Sequence, residues 1–317
     1  MSSPRRSLFL QEYIGLGNRL ESLVLAFAIQ RAHGHEVFLD WPELDALAVE
    51  GTKTGAPGLL GRLGALRLRE CTPEIFEGLG EHRKIILRTY LGPADKLDPL
   101  FQPTLTRIRL QRQVAEEIRA IFAPFAGRPV IGVHIRRGDY SPPDSDEYDT
   151  NSVKHPAVPL WWYEQAMGAL SKRNKDAVFY LSFSGTGAEF EQLRRNFDVV
   201  QARSRSPYGR EGTGHHSDMH PVVDLFALAC CPVLLATPLA SFSHYAAHLL
   251  GPATDCVLPP VRVKRSAWAA CRLAFRGQQL QRWVEVCRSG ERHELLSSSL
   301  AEVEARPAQT DWLPVAG

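Results

Sequence analysis

The stretch Pro129–Tyr140 constrains the fold of this chain more than any other part of its sequence. It reads PVIGVHIRRGDY, so an apolar run rich in β-branched residues is followed at once by a histidine, two arginines, a glycine and an aspartate. The apolar run is typical of a strand buried on both faces of a parallel sheet. Because such sheets place their ligands beyond the carboxyl ends of the strands, the charged end predicts a ligand site.

Two adjacent guanidiniums, those of Arg136 and Arg137, follow the buried strand. Charged groups at such a place are costly to desolvate unless a counter-charge meets them. The planar fork of arginine also matches the geometry of phosphate. We therefore predict a phosphate or pyrophosphate site. The alternative is structural, with both arginines bridging to acidic residues of the following loop, and these residues alone leave both interpretations open.

Length and composition limit the classes of protein to consider. A chain of 317 residues with 44% hydrophobic and 23% charged residues is long enough for two globular domains or one large one. The net charge of +2 disfavours a nucleic-acid partner or an anionic membrane surface. No stretch approaches the ~18 apolar residues of a membrane span, and the six cysteines lack metal-binding spacing. We expect a cytoplasmic, reduced protein without a membrane span, metal or cofactor.

The first part of the chain predicts a strand, a glycine loop, a helix and a second strand. Leu8–Leu10 and Val37–Leu39 are the predicted strands, and the helix after the loop Gly15–Arg19 is expected to stop at Gly34. A glycine loop at a helix N-terminus can seat an anion or form only a tight turn. Residues 51–66 contain five glycines and predict a mobile loop.

From residue 130 onward, strands and helices alternate. Predicted strands at 130–135, 177–181, 199–200 and 233–235 are separated by helices near 160–172, 188–196 and 222–229, with another helix at 242–250. This alternation predicts a parallel, doubly wound α/β sheet. We expect an N-terminal α/β domain at 1–125, a second, Rossmann-like domain at 126–260, and C-terminal helices at 261–317 that pack back across both. The last amphipathic helix is expected at 267–287.

The order of these motifs resembles that of a known enzyme superfamily. Gly15-Leu16-Gly17-Asn18-Arg19 opens the first half, His134-Ile135-Arg136-Arg137-Gly138-Asp139-Tyr140 opens the second, and Asp224 and then Ser241-Phe242-Ser243 follow. This arrangement resembles the fucosyltransferases that include the α-1,2, α-1,6 and protein O-fucosyl types. His134–Tyr140 and Ser241–Leu250 are most similar to the bacterial α-1,2 type, and Gly15–Arg19 to the other two types.

The resemblance implies a fold, a reaction and a set of site residues. The fold would be GT-B, with two Rossmann-like doubly wound domains facing across a cleft. Residues 1–125 would then form the acceptor-side domain and residues 126–260 the domain that binds the GDP-sugar donor. The reaction would be an inverting, metal-independent transfer of fucose from GDP-fucose to a hydroxyl of a glycan or small-molecule acceptor. The residues implied for donor binding are Gly17, Asn18, Arg19, His134, Arg136, Arg137, Asp224, Ser241, Phe242 and Ser243.

Individual roles follow from the same resemblance. Arg136 matches the arginine that grips the β-phosphate, and Asn18 matches a first-domain residue that reaches the pyrophosphate. Asp224 matches a carboxylate that binds the guanine edge, although a helix N-terminal carboxylate stabilised by the dipole is its structural alternative. Asp139 is the first candidate for the base that takes the acceptor proton. It could equally orient Arg136 or Arg137.

One departure from the family pattern concerns the sugar. An acidic pair expected near Tyr180-Leu181 is replaced by Ser182-Phe183-Ser184-Gly185-Thr186. This substitution leaves two alternatives beside fucosyl transfer. One is transfer of another GDP-sugar to a natural-product acceptor, and the other is a non-catalytic protein that binds nucleotide sugars. Asp144 and Asp146 imitate a metal-binding DxD motif, but we interpret them as part of a solvated loop.

Overall fold

The computed structural model describes most of the chain, and its described residues form two compact units. They are residues 6–11, 14–58, 62–137, 148–149, 157–207, 218–237, 240–248, 250–252, 254–257, 261–262, 300 and 303–316. The described parts of Met1–Ala115 and Pro314–Gly317 make the N-terminal unit, and those of Glu116–Pro207 and His216–Leu313 make the C-terminal unit. The division falls between Ala115 and Glu116, ten residues before the predicted domain boundary after residue 125. The helix predicted at 267–287 lies outside the described residues.

Both units contain strands and helices, most of them short. The strands are β1 Ser7–Gln11, β2 Glu36–Asp40, β3 Leu47–Val49, β4 Thr52–Thr54, β5 Leu66–Leu68, β6 Lys84–Leu87, β7 Ile108–Leu110, β8 Val130–Ile135, β9 Tyr148–Asp149, β10 Val178–Phe183, β11 Val199–Val200, β12 Val233–Leu235, β13 Asp255–Val257 and β14 Val261–Arg262. The α-helices are α1 Leu16–His33, α2 Pro73–Gly78, α3 Ala94–Leu97, α4 Phe101–Leu105, α5 Arg112–Phe122, α6 Leu160–Arg173, α7 Gly187–Asn196, α8 Pro221–Ala229 and α9 Ser241–His248. Short 3₁₀ turns occur at Pro42–Asp45, Leu79–Glu81, Asp98–Leu100 and Ala123–Phe125.

The N-terminal unit is built on a parallel sheet with the strand order β4-β2-β1-β6-β5. One face of β1 and β2 buries Leu8, Leu10 and Val37 among others, and α1 contacts both strands. As predicted, α1 ends at Gly34, whose φ of 71° is the left-handed conformation that glycine adopts without steric cost. The small antiparallel pair of β3 and β7 also belongs to this unit.

The segment predicted as a mobile loop at 51–66 contains an edge strand instead. Gly51 turns the chain with a φ of 82°, and Thr52–Thr54 then pairs in parallel with Val37–Leu39 of β2. The prediction was wrong because it relied on the number of glycines in the segment. Threonine is β-branched and favours extended backbone, and an open sheet edge supplies the hydrogen bonds that fix it.

The C-terminal unit has a second parallel sheet, in the order β11-β10-β8-β12-β13. Every residue of β8 and β10 is buried, as a strand covered on both faces requires. Counted along this unit the strand order is 3-2-1-4-5, that of a doubly wound Rossmann-like sheet. The predicted strand at 177–181 extends further, to Phe183. The α/β class and the two Rossmann-like units are therefore confirmed.

Residues near the C-terminus form backbone hydrogen bonds within each of the two units. The Leu110 N–H donates to the Pro314 carbonyl at 2.6 Å, within the N-terminal unit. The Val130 N–H donates to the Arg306 carbonyl at 2.9 Å, which joins the start of β8 to the tail. Among the helices the structure describes, none has both the length and the apolar character needed to cross a membrane.

Candidate functional site

The carboxyl ends of β8 and β12 form the point where the chain direction across the C-terminal sheet reverses. The two strands are neighbours, with Val133 opposite Leu235. From β8 the chain passes through α6 to β10 on one side, and from β12 it passes through α9 to β13 on the other. In open α/β sheets ligands bind outside the carboxyl ends of the strands at such a point. The residues immediately after Val133 and Leu235 are therefore the candidate site.

His134 lies near the end of β8 and is almost fully buried. Its Nδ1 is hydrogen-bonded to the Ser243 hydroxyl at 2.6 Å, and its ring lies against Phe242 with 5.2 Å between ring centroids. Burial, followed by the positive charge of Arg136, lowers the pKa of His134 to about 3. A neutral imidazole has one donor and one acceptor nitrogen, so His134 offers the site hydrogen bonds rather than charge.

Thr237 joins the ends of β8 and β12. Its Oγ1 donates to the His134 carbonyl at 2.7 Å and accepts from the Arg136 N–H at 3.2 Å. The Tyr163 hydroxyl, from α6, also donates to the His134 carbonyl at 3.0 Å. These hydrogen bonds hold the backbone in place at Arg136. Arg136 itself is half-buried. Sequence reasoning missed Thr237, although a hydroxyl residue directly after an apolar strand was a usable signal.

Arg137 has protein partners for its guanidinium. Its Nε and a terminal nitrogen both lie 3.2 Å from Glu189 Oε1, and its other terminal nitrogen donates to the Val158 carbonyl at 2.6 Å. Its backbone N–H donates to the Ser184 hydroxyl at 2.9 Å. Arg137 therefore makes the kind of ion pair that the structural alternative for the two arginines predicted. Its acidic partner, Glu189, lies in α7 and not in the following loop. Donor binding by Arg137 stays a prediction.

Asp224 is a buried carboxyl of α8, with a side chain only 1% exposed. Its Oδ1 accepts from the Tyr180 hydroxyl at 2.6 Å, and its Oδ2 accepts from the Ser182 hydroxyl at 3.1 Å. Desolvation raises the pKa of Asp224 to about 7, partly offset by these two bonds. In this position Asp224 ties α8 to β10 and is closed to a ligand, so guanine recognition by it stays a prediction.

The start of α9 places the remaining predicted donor residues at the same sheet edge. Ser241 and Phe242 occupy its first turn and are half-buried, while Ser243 is buried against His134. Because α9 follows β12, its N-terminus lies at the carboxyl edge, where free N–H groups favour an anion. The structure thus brings together His134, the Arg136 backbone and this first turn.

The predicted donor residues of the N-terminal unit lie in the first turn of α1. Gly17 is buried and Asn18 is half-buried, with its carbonyl accepting from the Ser22 hydroxyl at 3.2 Å. Arg19 is fully buried, forms an ion pair with the equally buried Glu43, and stacks over Trp41 with 5.5 Å from its guanidinium carbon to the ring centroid. These contacts give Arg19 a structural role, and its donor contact stays a prediction.

The remaining expectations concern the candidate acceptor base and a metal site. Asp139, Asp144 and Asp146 lie outside the described residues. Among the residues that are described, no group of three His, Cys, Asp or Glu side chains is placed to hold a metal ion. His220 caps the N-terminus of α8, where its Nδ1 accepts from the Val222 N–H at 3.3 Å.

Comparisons with known proteins identify the fold. No family model matches the sequence, and no curated protein is similar to it. Among solved structures, a mutant of Arabidopsis thaliana FUT1 in complex with GDP is 12% identical over 84% of this chain and 72% of its own, with a TM-score of 0.53. POFUT1 in complex with GDP-fucose is 8% identical over 81% of this chain and 99% of its own, with a TM-score of 0.51. The fucosyltransferase NodZ from Bradyrhizobium gives 16% identity over 79% of this chain and 95% of its own, with a TM-score of 0.48.

The two matches with the higher TM-scores extend over most of this chain. At such low identity they bear on the fold alone, and the nearer resemblance to the bacterial α-1,2 type stays a prediction. The doubly wound units described above and these two matches agree with one another, so the chain has the fold that FUT1 and POFUT1 share.

Proposed function

We propose that this protein is a glycosyltransferase that transfers fucose from GDP-fucose to a hydroxyl acceptor. The observation that carries the proposal is the cluster of His134, Arg136, Thr237 and Ser243 at the carboxyl ends of β8 and β12. The cluster occupies the ligand position of a doubly wound sheet. Solved proteins with the same fold were crystallised with GDP or GDP-fucose, which supports a guanine nucleotide donor here.

The proposed chemistry requires positive charge at the departing diphosphate. Breaking the bond between sugar and phosphate builds negative charge on the leaving group, and pre-positioned cations and N–H dipoles stabilise that charge. Arg136 supplies the cation, and its backbone is held in place by Thr237. The first turn of α9, at Ser241 and Phe242, supplies the positive end of a helix dipole.

His134 contributes by hydrogen bonding in this proposal. Because its pKa is lowered to about 3, it is neutral throughout the physiological range. Its bond to Ser243 leaves the second ring nitrogen as a possible contact for a phosphate oxygen. Arg136 is then the charged side chain of the cluster. An anion would bind to its permanent positive charge, and His134 would add no second charge that depends on pH.

Metal independence and inversion belong to the same proposal. A fixed guanidinium and a helix terminus can take the electrostatic role that a divalent ion plays elsewhere. An inverting transfer also needs one base for the acceptor proton, and Asp139 remains our candidate for it. A cytoplasmic location also belongs to the proposal. The buried free thiols of Cys71, Cys230 and Cys231 support it, since such thiols are typical of a reducing compartment.

The identity of the sugar is the least constrained part of the proposal. Ser182 donates to Asp224 of α8, and Ser184, just beyond β10, accepts from the Arg137 N–H, so both hydroxyls have structural partners. These contacts occupy the position where the family pattern has an acidic pair. Another GDP-sugar is therefore the second candidate donor.

The test combines donor binding with a matched pair of arginine variants. Titration calorimetry with GDP, UDP and ADP, without added metal, is expected to give selective binding of GDP. Release of GDP from GDP-fucose, with water as acceptor, reports turnover. Arg136→Ala is expected to lower that rate by about 10²–10³-fold, as removal of one stabilising donor does elsewhere.

The control removes an arginine from the opposite end of the same strand. Arg128 precedes β8 and forms an exposed ion pair with Asp198 at 2.5 Å. Arg128→Ala is expected to keep normal GDP binding and turnover. Near-normal turnover in Arg136→Ala would overturn the donor site, and GDP binding without any turnover would favour the non-catalytic alternative.

A further inference from the structure

Three polar side chains form a row at the carboxyl edge of the N-terminal sheet. Asp40 ends β2 directly opposite Gln11 of β1. Leu10 is paired with Leu87 of β6, so Arg88, the next residue, lies opposite Gln11. Residues paired across parallel strands point to the same face, so the register itself places the three side chains side by side.

Hydrogen bonds join the members of this row. A terminal nitrogen of Arg88 donates to Gln11 Oε1 at 3.1 Å, and Gln11 Nε2 donates to Asp40 Oδ2 at 3.2 Å. All three side chains are half-buried rather than closed off. The amide orientation of Gln11 is thereby fixed, with its oxygen toward the cation and its nitrogen toward the carboxylate.

The row lies at the reversal point of its own sheet. In the order β4-β2-β1-β6-β5, the chain leaves β1 toward β2 on one side, whereas β6 has its other neighbour, β5, on the opposite side. The carboxyl ends of β1 and β6 are therefore the place where a ligand is expected in such a sheet. Gln11 and Arg88 stand at that place.

An exposed aromatic side chain follows the row. Tyr90 is 36% exposed and its neighbour Leu91 is 50% exposed, two and three positions after Arg88. The turn that presents them is fixed, because the buried Thr89 accepts from the Leu91 N–H through its hydroxyl at 3.1 Å. An aromatic ring with one polar end suits a surface where an amphipathic ligand is bound.

The chemistry of the row suits a neutral saccharide. A carboxylate, a carboxamide and a guanidinium offer planar acceptors and donors, which match the neighbouring hydroxyls of a sugar. Asp40 and Arg88 bring one charge of each sign to the row, and this balance favours a neutral ligand. Tyr90 supplies an apolar surface for the C–H face of a sugar ring.

We propose that Asp40, Gln11, Arg88 and Tyr90 bind the acceptor of the transfer, and that this acceptor is a neutral saccharide. The first three residues contact its hydroxyls, and Tyr90 packs on one face of a ring. The proposal rests on the proposed function and deepens it, because it assigns the acceptor class and the residues that select it. It requires saccharide binding in the N-terminal unit that does not depend on Arg136.

The experiment measures saccharide binding and nucleotide binding separately. Wild-type protein with GDP is applied to an immobilised panel of neutral and acidic oligosaccharides, and GDP affinity is measured by calorimetry. Retention on neutral members of the panel is expected. Asp40→Asn and Tyr90→Ala are each expected to weaken that retention about tenfold, the loss that follows from one charged hydrogen bond or one aromatic contact. Their GDP affinities are expected to equal that of the wild type.

The controls separate folding from recognition. Asp95→Asn alters an exposed carboxylate of α3 in the same unit and is expected to change neither measurement. Tyr90 is exposed, so its truncation tests the site even if Asp40→Asn unfolds. Wild-type retention on acidic members only, no retention at all, or full retention by both variants would each overturn the proposal. Absence of GDP binding with saccharide retention intact would instead overturn the donor assignment.

Discussion

At the scale of single residues, two buried ionisable groups of the C-terminal unit shift in opposite senses. Burial lowers the pKa of His134 to about 3 and raises the pKa of Asp224 to about 7. Both shifts favour the neutral form, as burial without a counter-charge does. Tyr180, which donates to Asp224, has its own pKa raised by the same burial and by that carboxyl.

These shifts have opposite consequences for stability. The folded protein holds a proton on Asp224 from about pH 4 to about pH 7, where the unfolded chain does not, so this group destabilises the fold as pH rises through that window. His134 stays neutral in the folded protein while the unfolded chain takes up a proton below its ordinary pKa of 6.5. It therefore destabilises the fold as pH falls, and the two effects oppose each other.

Replacing Asp224 by asparagine should separate the two effects. The free energy of unfolding of Asp224→Asn, relative to wild type, is expected to rise by up to about 4 kcal/mol from about pH 4 to about pH 7, at about 1.4 kcal/mol for each pH unit. Urea unfolding across this range measures it. Ser182→Ala keeps the carboxyl and should keep the pH dependence. A difference between Asp224→Asn and wild type that is constant with pH would contradict the prediction.

At the scale of elements, β8 is positioned by what packs and bonds at each of its ends. Arg137, just beyond it, reaches Glu189, which also accepts from the Thr186 N–H at 2.9 Å as part of the capping box of α7. One carboxylate thus fixes both the start of a helix and the end of the central strand. This contact explains why Arg137 belongs to the framework while its neighbour Arg136 serves the proposed site.

The middle of β8 has little room for a side chain at Gly132. A Cβ at Gly132 would lie 3.1 Å from Cys231 Cβ and 3.2 Å from side-chain atoms of Leu228 and Leu234. Gly132→Ala is therefore expected to lower the free energy of unfolding by about 1–3 kcal/mol, because overpacking shifts neighbouring side chains. Thermal or urea unfolding provides the measurement.

The same substitution in α6 serves as its control. A Cβ at Gly168 would meet nothing within 4 Å. Gly168→Ala is therefore expected to stabilise the protein by up to about 1 kcal/mol, since alanine is the better helix former. If both alanine variants changed stability equally, close packing around Gly132 would not be the cause.

At the scale of the whole molecule, charge is local rather than global. The formal net charge is only +2, so the nucleotide-diphosphate recognition that we propose depends on local groups, Arg136 and the start of α9. We expect GDP release from GDP-fucose to continue unchanged in excess EDTA, because these fixed groups carry the stabilisation of the leaving group. Loss of activity on chelation, restored by Mn²⁺, would contradict this and would direct attention to Asp144 and Asp146.

The sequence by itself determined the local elements and the class of the fold. The strand and helix at Leu8–His33, the helix stop at Gly34 and the buried strand 130–135 were predictable, because periodicity and turn residues act over short distances. The alternation of elements from residue 130 onward was enough to predict one doubly wound sheet, whereas the pair of Rossmann-like units followed from the resemblance of the motifs. The charged end of β8 was also enough to locate the proposed donor site.

Tertiary structure alone decided which polar groups meet. Arg137 and Glu189 are 52 positions apart, Asp224 and Tyr180 are 44 apart, and Gln11 and Arg88 are 77 apart. Each pair depends on strand order and register, which are fixed by packing over the whole unit rather than by any local pattern. That is why the sequence indicated donor contacts for both Arg136 and Asp224, whereas in the folded chain Arg136 is half-buried at the strand end and Asp224 is buried inside.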